Sequence, residues 1–595
     1  MNYCCMGSML KRCLLSLSLA LMTCVPALCQ KRMTYTVASQ EEFDRINQRI
    51  TEAIKGGCKN IVFNIRPGTY FYKEAHISRS NEQCDVSISI KGRDAVLIAG
   101  GKDYKNGDAC PNGFGYYSTL LDPNTTKTYP VWDDLRHAER AIEVVDAKSK
   151  VCRLYHSQLK DYTSGQCAGV YVQITQWYQS FWYKVDYIKD GWVYFVADNL
   201  QKSYLAKNGE YNVNDDYLYA KQFPRFRLCS LPDENHAASI INGKVKTGLK
   251  DLHMCVTSSF MRLENVSYRD LTIEGIRFVG NGKSGYALIH LNRANFSACK
   301  IKGCSFESLT GGLLNAGQST HITFEGNKVS GLYSTGLYFK NGCEDVRVTK
   351  NLFEKAGQCL AFSFVVQCEA KDFYVADNTF RDFGYGAVCA GMMRGRQKDY
   401  ECSGIIENNE IYLSKEYFEH PEKYMSMDAG AIQVRTQSDQ TIVRYNYIHD
   451  YTGMRSNRGI FCDEGAHDFS IYGNVVVNIR NSYSIDARRV SINDASDSLL
   501  NRNNQMMYNV VDNYIRFVGR DAENNNCRKG TNMVLNCEGV TVPVCQYGNL
   551  EWKEDDIKAE YGGRKNNKVL LDKATMNVLK KWPVYRKIRK HFATY

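Results

Sequence analysis

Two adjacent carboxylates, Asp463 and Glu464, follow an apolar run in the segment "RGIFCDEGAHDFSIYGN". A third carboxylate, Asp428, precedes another apolar run in "YMSMDAGAIQVRT". Glycoside hydrolysis uses such a set, because one carboxyl group donates a proton to the leaving oxygen while another acts as base or nucleophile. Asp428, Asp463 and Glu464 are therefore our candidate catalytic residues. The simpler alternative is that each Asp is a solvated surface charge and that Glu464 only shapes a turn.

Cationic and polar side chains occur in the segments that connect these carboxylates. The candidate substrate-binding residues are Arg394, Arg396, Arg435, His449, Asp450 and Arg458. Arg394 and Arg396 belong to a long charged turn, "AGMMRGRQKDY", of the kind that borders a cleft. Two of the others have structural alternatives: Arg435 fits a surface ion pair with Asp463, and His449 fits an ordinary turn histidine.

The elements that must position these residues come from an internal repeat. From residue 271 onward the chain returns to alternating apolar runs that close on Asn or Gly, such as "ITFEGNKV", "VRVTKNLF", "FYVADNTF" and "FSIYGNVV". One aligned column contains Ile276, Cys304, Asn327, Asn351, Asn378, Asn409, Asn446 and Asn474. A period of about 25 residues with variable insertions is typical of a solenoid. A β-propeller blade needs about 40 residues, so that alternative fits less well.

Each repeat unit consists of short runs of β-branched and aromatic residues separated by Gly and Asn, without a helical period. We therefore predict an all-β fold, a right-handed parallel β-helix in which successive coils stack as parallel strands. The Asn column supports this prediction. Asn tolerates left-handed backbone at a tight bend, and its amide can bond to the Asn above and below.

Counting back from the Asn column aligns one strand of each coil, and strand alternation then predicts which side chains point inward. The expected inward residues are Leu313, Leu337, Phe364, Ile432 and Ile460. The expected outward polar row consists of Lys340, Gln367, Arg435 and Asp463. Asp463 should therefore lie on an exposed side of the solenoid, with Arg435 about one rung away.

The N-terminal segment 1–29 predicts export. Lys11 and Arg12 precede an apolar run, and "ALC" supplies the small residues that a signal peptidase needs. We therefore expect a cleaved signal peptide and a periplasmic or secreted protein. Acylation at Cys24 or Cys29, as in a surface lipoprotein, fits less well because neither cysteine follows a small residue.

The remaining chain divides around the solenoid. Residues 30–105 are predicted to form an N-terminal cap, with an amphipathic helix over 39–57, and the first β-helix coils. Residues 106–250 break the repeat and are predicted to form an inserted β-rich module. Residues 251–545 are predicted to form the main parallel β-helix, and residues 546–595 are expected to be a basic C-terminal tail or cap.

The composition indicates a folded protein, since 44% of the 595 residues are hydrophobic and 23% are charged. The formal charge of +11 becomes about +9 without the signal segment, which suits an acidic polysaccharide and equally a solvated surface. Most cysteines lie in apolar runs without paired metal spacing, so we expect buried small hydrophobes. We expect a monomer that binds an oligo- or polysaccharide and uses no cofactor or metal. Neither a nucleic-acid partner nor a membrane span after signal cleavage is expected.

With the Asn-ended repeat, the early β-rich insertion, and the "DAGAI" and "GIFCDEGAHD" segments, the chain resembles the pectin-lyase-like β-helix proteins of carbohydrate-degrading bacteria. More narrowly, it resembles glycoside hydrolase family 141 and its relatives. The resemblance implies a retaining or inverting hydrolase of plant cell-wall glycans. It also implies acid residues on two successive coils, which correspond to Asp428 and Asp463. Glu464 stands where relatives more usually have Asp, so the resemblance assigns it no role.

Two other functions fit the same residues. A polysaccharide lyase would need a basic residue next to a uronate carboxylate, and Arg394, Arg396, Lys398 or Arg435 could supply it. A non-catalytic glycan-binding solenoid would lack an enclosed cleft around Asp428 and Asp463. The long charged turns between residues 391 and 458 favour a cleft.

Overall fold

The structure is a computed structural model. The residues it describes are 31–72, 75–99, 142–160, 170–176, 179–197, 225–230, 259–280, 287–309, 312–332, 334–357, 364–391, 402–419, 421, 425, 429–435, 440–453, 457–463, 466, 468–480, 483–487, 505–507, 509–511, 515–517, 528–529, 533–534, 546–547, 550–551, 564–565, 568–571, 576–577, 580–581, 586, 589 and 592–594. The expected signal peptide lies outside these residues, as does most of the predicted basic tail.

Most strands belong to one large parallel sheet that winds into three faces, with one strand of each coil on each face. The sequence repeat explains this winding, because each coil of β-branched runs is interrupted where Gly or Asn lets the chain bend. The predicted parallel β-helix is confirmed. Face 1 contains Thr320–Glu325, Glu344–Thr349, Lys371–Ala376, Ser403–Glu407, Gln440–Arg444, Phe469–Tyr472, Gln505–Met507 and Arg528–Lys529.

Faces 2 and 3 complete each coil. Face 2 contains Ser305–Leu309, Lys328–Leu332, Leu352–Ala356, Thr379–Phe383, Glu410–Tyr412, Tyr447–Tyr451, Val475–Ile479, Val510–Val511 and Met533–Val534. Face 3 contains Gly312–Gly317, Leu337–Phe339, Phe364–Cys368, Gly386–Ala390, Gly430–Val434, Arg458–Cys462, Ile485–Ala487, Ile515–Phe517 and Gln546–Tyr547.

The first coils are made of Arg32–Val37, Asn60–Ile65, Gly68–Tyr72, Ile77–Gln83, Ser87–Ala99 and two longer strands, Met261–Val279 and Ala287–Lys302. Ser87–Ala99 pairs directly with Met261–Val279, so these two strands belong to the same β-helix although residues 100–260 separate them in the sequence. Two consecutive helices, Gln40–Asp44 and Ile46–Lys55, occupy the predicted helical segment. Ser39 caps the first helix, since its hydroxyl accepts from the Glu42 backbone N–H. A further short helix spans Lys415–Glu419.

The Asn column forms a continuous buried ladder. Asn378 illustrates the pattern: its backbone N–H and its Nδ2 both donate to Asn409 Oδ1, at 3.1 and 3.0 Å, while its Nδ2 also donates to Val348 O at 2.8 Å. The same bonds link Asn327 through Asn474, and the ladder extends to Asn509. The predicted amide stacking is therefore confirmed.

The conformational reason we gave for the Asn column is wrong by one residue. The left-handed backbone belongs to the residue just before each ladder asparagine, for example Asn408 (φ 54°) before Asn409 and Tyr445 (φ 57°) before Asn446. The ladder asparagines are selected for their amide bonds, and the preceding position takes the bend.

The interior is a single apolar core that runs along the coils. Five phenylalanines stack along it: Phe278, Phe306, Phe324, Phe353 and Phe380, with ring centroids 5.0–6.2 Å apart. Leu337, Ile432 and Ile460 point into this core, as predicted. Several cysteines also lie in it, among them Cys299, Cys304, Cys343, Cys368 and Cys462, in agreement with their expected role as small hydrophobes.

The inward register differs from our prediction in two coils. Leu314 pairs with Leu337 where we expected Leu313, although Leu313 is also in the core. Val366 occupies the position expected for Phe364. Phe364 is not part of the main core and lies in a separate small cluster described below.

Residues between the first coils and Met261 include a separate six-stranded antiparallel sheet. Its strands are Glu143–Asp146, Val151–Tyr155, Val170–Gln176, Gln179–Lys189, Trp192–Val196 and Arg225–Ser230. Near the C-terminus, Leu550–Glu551 pairs antiparallel with the last strand of face 3, and a small sheet contains Arg564–Lys565, Lys568–Leu571 and Phe592–Thr594. No helix in the part of the chain that the structure describes is long and apolar enough to cross a lipid bilayer.

Candidate active site

The outward side of face 3 presents two parallel rows of side chains. The first outward row, defined by strand register, is Tyr338, Gln367, Cys389, Gln433, Phe461 and Asp486. The second outward row lies two residues further along each strand and consists of Lys340, Glu369, Gly391, Arg435 and Asp463. The backbone N–H of each row member donates to a carbonyl at or next to the end of the face 3 strand in the preceding coil, at 2.7–2.9 Å. Neighbouring members of a row are about 4.8 Å apart.

The second row corrects one member of the polar row that we predicted. Glu369, not Gln367, stands between Lys340 and the later coils. The turn from Cys368 to Lys371 is two residues shorter than the turn from Phe339 to Glu344, so counting back from the Asn column misplaced this coil. Arg435 and Asp463 occupy adjacent rungs, as predicted.

Glu369 is a carboxylate that the sequence analysis missed. Its side chain is buried and accepts hydrogen bonds from the Tyr338 hydroxyl at 2.8 Å and from Gln367 Nε2 at 3.0 Å. Three rungs separate it from Asp463, a distance of about 14 Å. The signal in the sequence was "QCEAKD", where a charged residue directly follows an apolar strand as Asp463 does.

Asp463 ends the strand Arg458–Cys462 and is partly exposed. Its backbone N–H donates to Val434 O at 2.8 Å, and its own carbonyl accepts from the Ala466 N–H at 3.1 Å, so the turn holds it at the strand end. Its side-chain Oδ2 accepts a hydrogen bond from Gln433 Nε2 at 3.2 Å. A partly exposed carboxylate on a rigid strand, with one oxygen fixed, can act as base, nucleophile or acid toward a ligand on this side.

Gln433 is fully buried in the first outward row, between Cys389 and Phe461 on the neighbouring rungs. Within the described residues, no group donates to its Oε1. Sequence reasoning passed over this residue, although alternation in "GAIQVRT" puts Gln433 on the same side as Arg435.

Arg435 is buried, with 2% of its surface exposed, rather than lying on an open surface. Its guanidinium carbon lies 5.2 Å from the centre of the Phe364 ring, a cation–π contact. Phe364 belongs to a cluster with Tyr385, Cys389 and Ala429 that is separate from the main core, so our expectation that it points inward is wrong. The guanidinium of Arg435 thus lies on the outward side of face 3 but is shielded from solvent.

Arg458 and Asp486 form an ion pair in which both partners are buried. Arg458 Nε donates to Asp486 Oδ2 at 2.9 Å, and the guanidinium also stacks on Phe461 at 4.1 Å. Burial, together with the charges of Asp486 and Asp463, raises the pKa of the Cys462 thiol. Both carboxylates therefore lie near one strand, and the structure gives Arg458 a role in holding Asp486.

His449 and Asp450 lie on face 2, in the strand Tyr447–Tyr451, and so on a different sheet from Asp463. The His449 ring stacks between Tyr412 and Tyr447, and its Nδ1 is 2.7 Å from Asp450 Oδ2. Burial alone would lower the pKa of His449, but Asp450 and Glu410 outweigh it and raise the pKa. These two candidates are therefore not brought together with Asp463 on one face.

Four candidates, Arg394, Arg396, Asp428 and Glu464, lie outside the described residues. Their roles stay predictions. The described residues contain no group of three or more His, Cys, Asp or Glu side chains arranged to hold a metal ion.

Comparison with known proteins agrees with the fold. Residues 257–395 match the sequence profile of a family described as "Right handed beta helix region". One solved glycoside hydrolase superposes with a TM-score of 0.51 at 10% identity, covering 76% of this chain and 95% of the other. The family 28 exopolygalacturonase of Yersinia enterocolitica gives a TM-score of 0.35 at 13% identity, covering 87% of this chain and 78% of the other. No curated protein sequence matches significantly. The architecture is a right-handed parallel β-helix, as the sequence predicted.

Proposed function

We propose that the protein is an exported glycoside hydrolase that cleaves a complex glycan of the plant cell-wall type. The observation that carries this proposal is Asp463, a partly exposed carboxylate on the outward side of face 3 whose Oδ2 is fixed by Gln433. The fold supports it, because a solved glycoside hydrolase has the same architecture. Export rests on the predicted signal segment 1–29, and the substrate class rests on the family resemblance.

Hydrolysis needs two carboxyl groups with different protonation states. In our proposal Asp463 and Asp428 share these roles: one donates its proton to the glycosidic oxygen as the bond from that oxygen to the anomeric carbon breaks. The other, ionised, either takes a proton from the attacking water or attacks the anomeric carbon itself. Either route consumes one water and leaves a hydroxyl on each fragment. Glu464, next to Asp463, is a third candidate for this set.

The positive charge of Arg435, on the rung next to Asp463, suits a glycan that carries carboxylates or many hydroxyl groups. Arg394 and Arg396, in the segment that follows Gly386–Ala390 in the sequence, are proposed to contact such a substrate. A lyase is the second candidate, and one observation favours it: Arg435 stands on the rung next to Asp463. A lyase would use such a base to remove the proton alpha to the uronate carboxyl. The glycosidic C–O bond at the neighbouring carbon then breaks, which leaves an unsaturated uronate on one fragment and a hydroxyl on the other.

The test is to incubate the mature protein with a panel of plant and host polysaccharides and to follow reducing ends and ultraviolet absorbance together. New reducing ends without absorbance support the hydrolase, whereas absorbance from unsaturated uronates means a lyase. For a cleaved glycan, Asp463→Asn is then expected to lower kcat by about 10³-fold, in the range of general acid–base catalysis.

Glu369→Gln is the matched control, because Glu369 belongs to the same row but is about 14 Å from Asp463. That distance exceeds the roughly 9.5 Å that separates catalytic carboxylates, so the control should change kcat less than about threefold. Full activity of both Asp428→Asn and Asp463→Asn would refute the proposal.

A further inference from the structure

A buried amide sits directly behind the candidate catalytic carboxylate. Gln433 has no exposed surface, and its Nε2 is 3.2 Å from Asp463 Oδ2 on the adjacent strand. Resting on the function proposed above, we infer that Gln433 is a positioning residue that fixes Asp463 as the ionised carboxylate of the site. Asp463 is then the base or nucleophile, and the proton donor is another residue.

The orientation of the Gln433 amide decides which form of Asp463 it stabilises. Its Nε2 donates to Asp463 Oδ2, while its Oε1 accepts no hydrogen bond from the described residues. A donor aimed at one carboxylate oxygen favours the charged form of that carboxylate. The rigid strands on both sides, Gly430–Val434 and Arg458–Cys462, keep this geometry.

The surroundings of Gln433 argue against a purely structural role. Its neighbours on the adjacent rungs, Cys389 and Phe461, are both fully buried and non-ionic in character, so an apolar side chain would pack equally well there. The amide instead leaves its Oε1 buried without a hydrogen-bond donor from the described residues, which is unfavourable for folding. The contact that offsets this cost is the bond to Asp463.

Two variants separate the positioning role from a packing role. Gln433→Met has nearly the same length and fills the apolar site, but it removes the donor. We expect kcat to fall by roughly 10–100-fold with KM changed less than about twofold, the effect of losing a hydrogen bond to a charged group. Gln433→Glu keeps the shape and places a second carboxyl beside Asp463. The two carboxyls then share a proton, so the acidic limb of the kcat/KM profile should shift to higher pH.

Gln367→Met is the matched control, because Gln367 belongs to the same first outward row as Gln433 and its Nε2 also donates to a carboxylate, Glu369, at 3.0 Å. It should leave kcat and the pH profile unchanged. Circular dichroism and thermal melting of all variants check that they fold. The inference is supported if both Gln433 variants are folded and show the expected changes.

The possible failures are distinguishable. If Asp463→Asn is inactive while Gln433→Glu has the wild-type pH profile, the positioning role is overturned and the proposed function survives. If Gln433→Met does not fold, the Gln433→Glu profile alone decides in the same way. If Asp463→Asn keeps full activity, Asp463 is not catalytic and both the inference and its premise fall.

Discussion

Arg458 and Asp486 are joined by a 2.9 Å hydrogen-bonded ion pair on the outward side of face 3, with 3% and 0% of their side chains exposed. In an ion pair this deeply buried, each charge compensates the desolvation of the other. Removing one partner leaves the other charge desolvated and uncompensated, while removing both leaves an apolar site. Arg458 begins the strand that Asp463 ends, and Asp486 lies on the adjacent strand, so the integrity of the pair bears on the shape of the candidate site.

Arg458→Met is therefore expected to lower the free energy of unfolding by about 3–5 kcal/mol. The double variant Arg458→Met with Asp486→Leu should recover most of this loss, which a double-mutant cycle in urea would measure. The matched control is Arg277→Met, which breaks an exposed pair with Glu307 and should cost about 0–1 kcal/mol. A double variant as unstable as the single one would show that the pair is not the stabilising unit.

Asn409→Ala should destabilise the β-helix by about 2–4 kcal/mol, because the backbone N–H and one of the two Nδ2 hydrogens of Asn378 lose their acceptor in a buried site. Asn408→Gly, at the preceding position, is the matched control. Asn408 adopts left-handed backbone that Gly also accepts, and this variant should change stability by less than about 1 kcal/mol. Chemical denaturation of both variants measures the difference. Equal losses would mean that the bend, and not the amide ladder, carries the stability.

The repeat made most of the fold predictable. A polar residue that recurs in apolar runs is favourable in a core when its copies can hydrogen-bond to one another. For this reason the Asn column predicted the stacked amides that Asn327 through Asn509 form. The position of the bend was not predictable from the column alone. Residues as different as Lys350, Asp377 and Tyr445 take the left-handed position, so the bend has no consistent residue type.

The candidate site was predicted only in part, because it depends on register. Asp463 and Arg435 were aligned correctly, since the turns that follow them have equal length in the repeat. Glu369 was missed because its turn is two residues shorter, and Phe364 was placed inward by the same error. Burial was not predictable either: alternation puts Arg435 on the outward side of its strand, and it is still buried.

Phe353→Ala should lower the free energy of unfolding by about 3–5 kcal/mol, because it interrupts the phenylalanine stack between Phe324 and Phe380 and leaves a cavity in the core. Phe353→Leu keeps more of the volume and should cost less than half as much. Thermal or chemical denaturation distinguishes the two. If both substitutions have the same small effect, the stack is not a principal source of core stability.

His449 should make stability depend on pH. Its pKa is raised in the folded protein, because Asp450 and Glu410 outweigh the opposing effect of burial. A raised folded-state pKa contributes stability that is fully present below the unfolded value of about 6.5 and is lost as the pH rises through the folded value. His449→Gln should therefore cost more stability at about pH 5.5 than at about pH 8.5. The control is His321→Asn, whose exposed contact with Asp345 should matter little at either pH. Denaturation curves at the two pH values decide the matter: a loss that is equal at both, or larger at the higher pH, would contradict the assigned charge of His449.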